Sequence, residues 1–250
     1  MMDTFYQFVN QANKPFQGWN FSFLTDTGRL STEPLPWNYA SIVLQYMYGV
    51  DSMLDMGTGG GEFLSLLTPL PARTAATEGY APNIPLAKER LEPLGISVHA
   101  IEDDTHLPFA NEQFDLIINK HESFCEKEVK RVLKPNGIFI TQQVGGLDNL
   151  ELNDLLHAYT GSEYSYWNME YASSRLKHCG FQILKQQECF PYQRFYDIGS
   201  IIYYLKAIPW QIPDFSVSKY EEQLLHVHNH IQQNGFIEVK AHRFYIVASL

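Results

Sequence analysis

The chain has 250 residues, 45% hydrophobic and 18% charged, with a formal net charge of −10 at pH 7. This is globular composition; it excludes a disordered, collagenous or coiled-coil chain and predicts that folding buries roughly 70% of the unfolded surface. The acidic balance disfavours a broad footprint on nucleic-acid phosphates, which needs clustered Lys and Arg.

Cys125, Cys179 and Cys189 are an odd number without C-x-x-C spacing. They argue against a disulfide framework or zinc knuckle, and reduced thiols in a cytoplasmic protein are expected. The start Met1-Met2-Asp3-Thr4-Phe5-Tyr6-Gln7 lacks a basic region and an apolar core, so no signal peptide is expected. No stretch reaches about 18 uninterrupted apolar residues, so no spanning helix is expected either.

Residues 1–45 are rich in aromatics, among them Phe16, Trp19, Phe21, Phe23, Trp37 and Tyr39. Pro34 and Pro36 bar a long helix before Trp37. This reads as an N-terminal cap ending in a helix at 39–48. An apolar strand at 52–56 runs into a glycine cluster, and helical spacing follows through Phe63, Leu66 and Leu67. Strands are predicted at 73–78, 96–101, 114–119 and 138–141, with helices at 82–91 and 126–133, the latter stopped by Pro135-Asn136-Gly137. Strands alternating with helices predict a parallel α/β sheet with helices on both faces. Further helices are predicted at 149–159, 170–179 and 198–205, and strands at 181–188 and 242–249. Ser218-Lys219-Tyr220-Glu221 fits a capping box for a helix closed by Gly235. No repeat, low-complexity segment or linker is visible, which predicts a single domain.

The densest motif is Leu54-Asp55-Met56-Gly57-Thr58-Gly59-Gly60-Gly61-Glu62-Phe63. A glycine turn between strand and helix lets backbone approach a ligand closely. A dinucleotide fingerprint would have glycine in place of Glu62, whose carboxylate would meet a pyrophosphate at a helix N-terminus with like charge. That counts against NAD or FAD, and Asp55 before the loop suits a ligand carrying positive charge. Glu78, followed by Gly79, ends the second strand, where a carboxylate can accept both hydroxyls of a ribose. Asp103 and Asp104 end the third; an acid there can meet an adenine amino group, with Leu107-Pro108-Phe109 supplying an apolar neighbour. An adenosine beside a cationic group describes S-adenosylmethionine.

These residues, with Phe114 to Asn119, His121 after them, and Arg131 to Gly137, resemble class I S-adenosylmethionine-dependent methyltransferases of the type that includes the ubiquinone-biosynthesis C-methyltransferases. The resemblance spans about 52–145. It implies a Rossmann-like, seven-stranded, mostly parallel sheet of order 3-2-1-4-5-7-6 with strand 7 antiparallel. Strands 6 and 7 would be 181–188 and 242–249. The chain then divides into an N-terminal cap (1–45), a cofactor-binding core (46–189), an inserted cap (190–235) and a final strand (236–250). It also implies cofactor contacts from Asp55, Gly57, Thr58, Gly59, Glu78, Gly79, Asp103, Asp104 and Asn119, with S-adenosylhomocysteine as product.

Methyl transfer is an in-line displacement at an already activated methyl group, so orientation matters most. A general base is required only where the acceptor must lose a proton. His121 is the candidate, set against a structural histidine. Trp37, Tyr203 and Trp210 could line an apolar acceptor pocket or fill the core of the caps. His226, His228 and His230 read as a solvated helix face, Asp115 as structural, and Lys127, Lys130, Arg131 and Lys134 as solvated cations. No metal site is predicted. The expected enzyme methylates a small, partly apolar acceptor. The alternatives are an rRNA or tRNA methyltransferase, a binding module for the cofactor without transferase activity, and, more distantly, an NAD-dependent reductase.

Overall fold

The computed structural model describes residues 2–16, 21–159 and 164–250. Trp19 lies outside them. In chain order the elements are α1 (Met2–Gln11), α2 (Ser22–Thr25), β1 (Leu30–Thr32), α3 (Tyr39–Met47), β2 (Ser52–Met56), α4 (Glu62–Leu66), β3 (Arg73–Glu78), α5 (Asn83–Leu91), β4 (Ser97–Ala100), β5 (Phe114–Lys120), α6 (Glu126–Val132) and β6 (Leu133–Val144). Then follow α7 (Glu151–Leu155), α8 (Met169–His178), β7 (Gln182–Cys189), β8 (Tyr192–Phe195), α9 (Ile198–Ala207), α10 (Glu221–Asn234), β9 (Ile237–Lys240) and β10 (Arg243–Ser249).

The chain forms two compact units. The larger comprises Pro36–Val144, Trp167–Glu188 and Arg243–Leu250. Its seven-stranded sheet has the order β4-β3-β2-β5-β6-β10-β7. Renumbered within the sheet, this is 3-2-1-4-5-7-6. β2 is parallel to β3 and β5, β4 to β3, and β6 to β5, while β10 runs antiparallel to β6. The hydrophobic pattern fits a sheet covered on both faces. β2 is buried at all five positions, and β5 buries Leu116, Ile117 and Ile118 completely, as strands covered on both faces must. One face packs Leu54, Ile117, Phe139 and Phe244 against α6 and α8; the other packs Met53, Ile118 and Val247 against α3 and α5. β3 and β4 follow β2 on one side, while β5 and β6 return on the other. The strand order therefore reverses between β2 and β5, and the crevice outside the C-terminal ends of strands at such a reversal is where open α/β sheets bind ligands.

The smaller unit comprises Met1–Leu35, Gly145–Tyr166 and Cys189–His242. It has its own antiparallel sheet, β1-β8-β9, and a core of Phe5, Leu24, Phe195, Ile202, Leu224 and Ile231. Much of the two expected cap segments falls here, together with α7. The 236–250 segment, expected to be one strand, is divided: β9 belongs to the small sheet and β10 to the large one.

Three local expectations are corrected. Pro135-Asn136-Gly137 does not separate helix from strand. It lies within β6 as an irregularity with Asn136 at φ +63°, where the register against β5 shifts. Ser218 does not cap α10, whose N-cap is Tyr220 with no side-chain bond. The predicted helix 149–159 is only the five residues of α7. By contrast Asn38, Asn168 and Asp197 each accept the backbone N–H three residues on, which sets the starts of α3, α8 and α9.

Candidate cofactor and acceptor site

Asp55 is the fourth residue of β2, paired with Ala76 of β3 and Ile118 of β5 at the point of reversal. It is 3% exposed. Burial pushes its carboxyl up to about 7. Thr58 and Lys120 favour the ionised form, while Glu78 opposes it. Glu78 ends β3 and is equally buried. Its Oε1 accepts the Tyr80 backbone N–H at 2.7 Å. Burial raises its pKa, and the backbone amides of Tyr80, Gly59 and Gly79 work against that rise. Two buried carboxylates thus flank the glycine loop, as the sequence predicts.

The loop itself holds Gly57, Gly59 and Gly61 at positive φ, a region closed to most side chains. A Cβ on Gly59 would meet nothing within 4 Å, so this part of the loop borders open space. A Cβ on Gly57 would strike the Glu122 side chain at 2.3 Å. Thr58 is tied through its N–H to the Thr77 carbonyl at 2.9 Å. Around the loop, the Thr77 hydroxyl is buried without a hydrogen-bond partner among the described residues, while the Thr58 hydroxyl and the Asn83 amide lie against the carboxyls of Asp55 and Glu78. These polar groups gather at a strand-end crevice, the part of an open α/β sheet where a polar ligand binds.

Asp103 and Asp104 are separated by the structure. Asp103 is exposed and accepts from the Thr105 backbone N–H (2.7 Å) and hydroxyl (2.6 Å). Asp104 is half-buried and takes the Ser123 hydroxyl, with its pKa raised by burial. Leu107 and Phe109 cannot serve as an open apolar wall. Both are buried, and Phe109 packs edge-on against Phe114 and His99. Arg131 is not a free surface cation; its guanidinium bonds the carbonyls of Leu107 and Phe109 at 2.9 and 2.7 Å and clamps this loop. Lys134 pairs with Asp115 at 2.8 Å, and Asp115 also holds the Ser52 N–H and hydroxyl, so its expected structural role stands.

Asn119 is a strut. Its Oδ1 accepts from Thr141 (2.8 Å) and Gln143 (2.7 Å), and its Nδ2 donates to the Ser123 carbonyl. The Tyr39 hydroxyl bonds the Asn119 and Ile140 carbonyls at 2.9 and 3.2 Å, pinning β5 to β6. The side chain of Asn119, a residue expected to contact the cofactor, is thus already engaged within the protein.

His121 follows β5 with φ +61°. Its side chain is exposed; partial desolvation, then the cations Arg243 and Lys120, lowers its pKa. Its Nε2 lies 2.9 Å from Gln142 Nε2, and Gln142 Oε1 accepts the Trp37 indole N–H at 2.8 Å. The structure therefore brings Trp37 and His121 together, through a residue that sequence reasoning missed. The Trp37 ring packs on Tyr245. Tyr203 and Trp210 lie in the other unit. Tyr203 is a core residue packed edge-on against Phe16 and Phe23, and Trp210 is half exposed. Of the α10 histidines, His226 and His230 are exposed, but His228 is buried between Phe5 and Phe8.

Glu122, Lys120, Tyr39, Gln142 and Asn83 went unrecognised as site residues. Only position after a predicted strand end could have pointed to the first two. Glu122 collects its pKa rise from burial and then from Asp104 and Glu78, so it shares their space.

Comparison with known proteins agrees with this geometry. Residues 54–141 match the methyltransferase domain family. PMT7, a methyltransferase-class protein of Arabidopsis thaliana, is 33% identical over 103 residues; the match covers 37% of this chain and only 17% of that protein. A methyltransferase-class protein of Bacillus halodurans C-125 has a similar structure, with a TM-score of 0.59 and 16% identity over 84% of this chain and 97% of that one. Geranyl diphosphate C-methyltransferase of Streptomyces coelicolor A3(2), solved with Mg2+, geranyl diphosphate and S-adenosyl-L-homocysteine, aligns at a TM-score of 0.52 and 12% identity, over 84% of this chain and 77% of that one. Among the described residues, no helix is long and apolar enough to cross a membrane.

Proposed function

We propose that the methyltransferase domain at residues 54–141 binds S-adenosylmethionine and transfers its methyl group to a small, partly apolar acceptor. The observation that carries this reading is the pair of buried carboxylates, Asp55 and Glu78, on adjacent strand ends beside a glycine loop held at positive φ. The donor set fits the cofactor. In this reading Glu78 accepts the ribose hydroxyls and Asp55 meets the ammonium, whose charge would draw off the Asp55 proton. Asp104 is held by Ser123 at the third corner. Gly59 leaves room over the loop for close approach.

When bound, the cofactor supplies a methyl group on a positively charged sulfur, ready for displacement. The chain's own residues bind and orient. Asp55 and Glu78 fix the two ends of the ligand, Tyr39 and Asn119 keep the β5 end rigid, and His121 borders the acceptor side. Four carboxylates around the crevice, Asp55, Glu78, Asp104 and Glu122, favour this cation and disfavour a phosphate-rich acceptor such as RNA.

Calorimetric titration with S-adenosylmethionine, S-adenosylhomocysteine and NAD tests the proposal. Micromolar binding of the first two is expected, lost in folded Asp55→Ala and Glu78→Ala variants. Absence of binding to folded protein would overturn it, and binding of NAD alone would restore the reductase reading.

A further inference from the structure

The orientation of one amide decides what His121 can do. An indole N–H only donates, so the Gln142 oxygen must face Trp37 and the Gln142 nitrogen must face His121. An amide nitrogen also only donates. His121 Nε2 is then an acceptor, which requires an uncharged ring carrying its proton on Nδ1. Protonating Nε2 would set an N–H against the Gln142 N–H, and the charged groups acting on the ring, Arg243 and Lys120, are both cations. Among the described residues, Nδ1 has no hydrogen-bond partner, and solvent reaches His121.

We infer that Gln142 is a positioning residue, oriented by Trp37, which holds His121 as the neutral Nδ1–H tautomer, so that His121 offers a hydrogen-bond donor to an oxygen or unprotonated nitrogen of the acceptor and is not a general base. The acceptor role rests on the methyltransferase reading; the tautomer does not. The lowered pKa of His121 agrees with this geometry. An acceptor that must shed a proton loses it to another group or to water, and the catalytic base expected at His121 from the sequence is replaced by a donor.

The test is two-bond 1H–15N spectroscopy of histidine-labelled protein without cofactor, with His121 assigned by its loss in His121→Gln. A protonated Nδ1 and bare Nε2 are expected from pH 5.5 to 8. Gln142→Glu keeps an acceptor for Trp37 but presents a carboxylate to the ring; it should move the proton to Nε2 and raise the ring's proton affinity at least tenfold. An Nε2–H tautomer in the parent, a parent ring titrating near pH 6.5, or an unchanged ring in folded Gln142→Glu would each overturn the inference. Should Gln142→Glu fail to fold, Trp37→Phe serves instead. It frees the amide to turn over, so a tautomer mixture is expected and an unchanged single tautomer overturns it. These spectra need no ligand, so failure of the cofactor titration and failure of this inference remain distinguishable.

Discussion

Lys120, the last residue of β5, supplies the positive charge that favours the carboxylate form of Asp55 on neighbouring β2. Burial acts more strongly in the opposite direction and leaves the Asp55 pKa at about 7, above its ordinary 3.8. Between these values the folded chain holds a proton that the unfolded chain has released. Stability contributed by this group is therefore lost as pH rises from about 4 to beyond 7. At about 1.4 kcal/mol for each tenfold change in proton affinity, the loss is up to about 4 kcal/mol. Denaturant unfolding of ligand-free protein from pH 5 to 8 should show this decline, and Asp55→Asn should flatten it.

On the proposed cofactor reading, the same carboxyl couples binding to pH. A cationic ligand beside Asp55 binds best to the carboxylate, so affinity for S-adenosylmethionine should rise by up to about tenfold between pH 6 and 8. Calorimetry at pH 6.5 in buffers of different ionisation enthalpy should show release of a proton on binding. A pH-independent affinity in Asp55→Asn, with no proton released, is the matching control.

Gly57 and Gly59 should respond differently to alanine. Both have positive φ, which costs roughly 1–2 kcal/mol for a residue with a Cβ. At Gly59 nothing else stands in the way. At Gly57 the Cβ collides with Cβ and Cγ of Glu122, which must leave the loop. Gly57→Ala should be the less stable variant in urea unfolding. Both should weaken cofactor binding at least tenfold, because both alter the loop proposed to border the cofactor.

Burial periodicity carried the alternating strands and helices, and carboxylates at predicted strand ends carried the two main acids, whereas the order of the sheet came only from the resemblance to class I methyltransferases. Strand 73–78 needed no revision, and Asp55 and Glu78 lie where the motif puts them. What escaped notice depends on contacts between distant positions. Nothing near Trp37 announces a bond to Gln142, and nothing near Gly57 announces Glu122 as its neighbour. Arg131 looks like any helix-surface cation until its two carbonyl partners on the 107–109 loop are seen. The three-residue β1 and four-residue β8 and β9 are too short to show a period, so the second sheet was invisible.

Asp115 offers a control that separates stability from binding. It is the second residue of β5, at the end remote from the glycine loop, where it holds the backbone N–H and hydroxyl of Ser52 and the Lys134 ammonium. Burial alone would raise its pKa, but those partners hold it below the ordinary value. A depressed carboxyl stabilises the fold above its unfolded pKa, and this is lost as pH falls through the folded value. Asp115→Asn removes the charge from a partly exposed pair and one acceptor from the strand start, so a loss of about 1–2 kcal/mol at pH 7 is expected. Its affinity for S-adenosylmethionine should stay within about twofold of the parent, since no group at the crevice loses a partner. A large loss of affinity in this variant would mean that the cofactor site does not reside at the opposite, C-terminal end of β2 and β3.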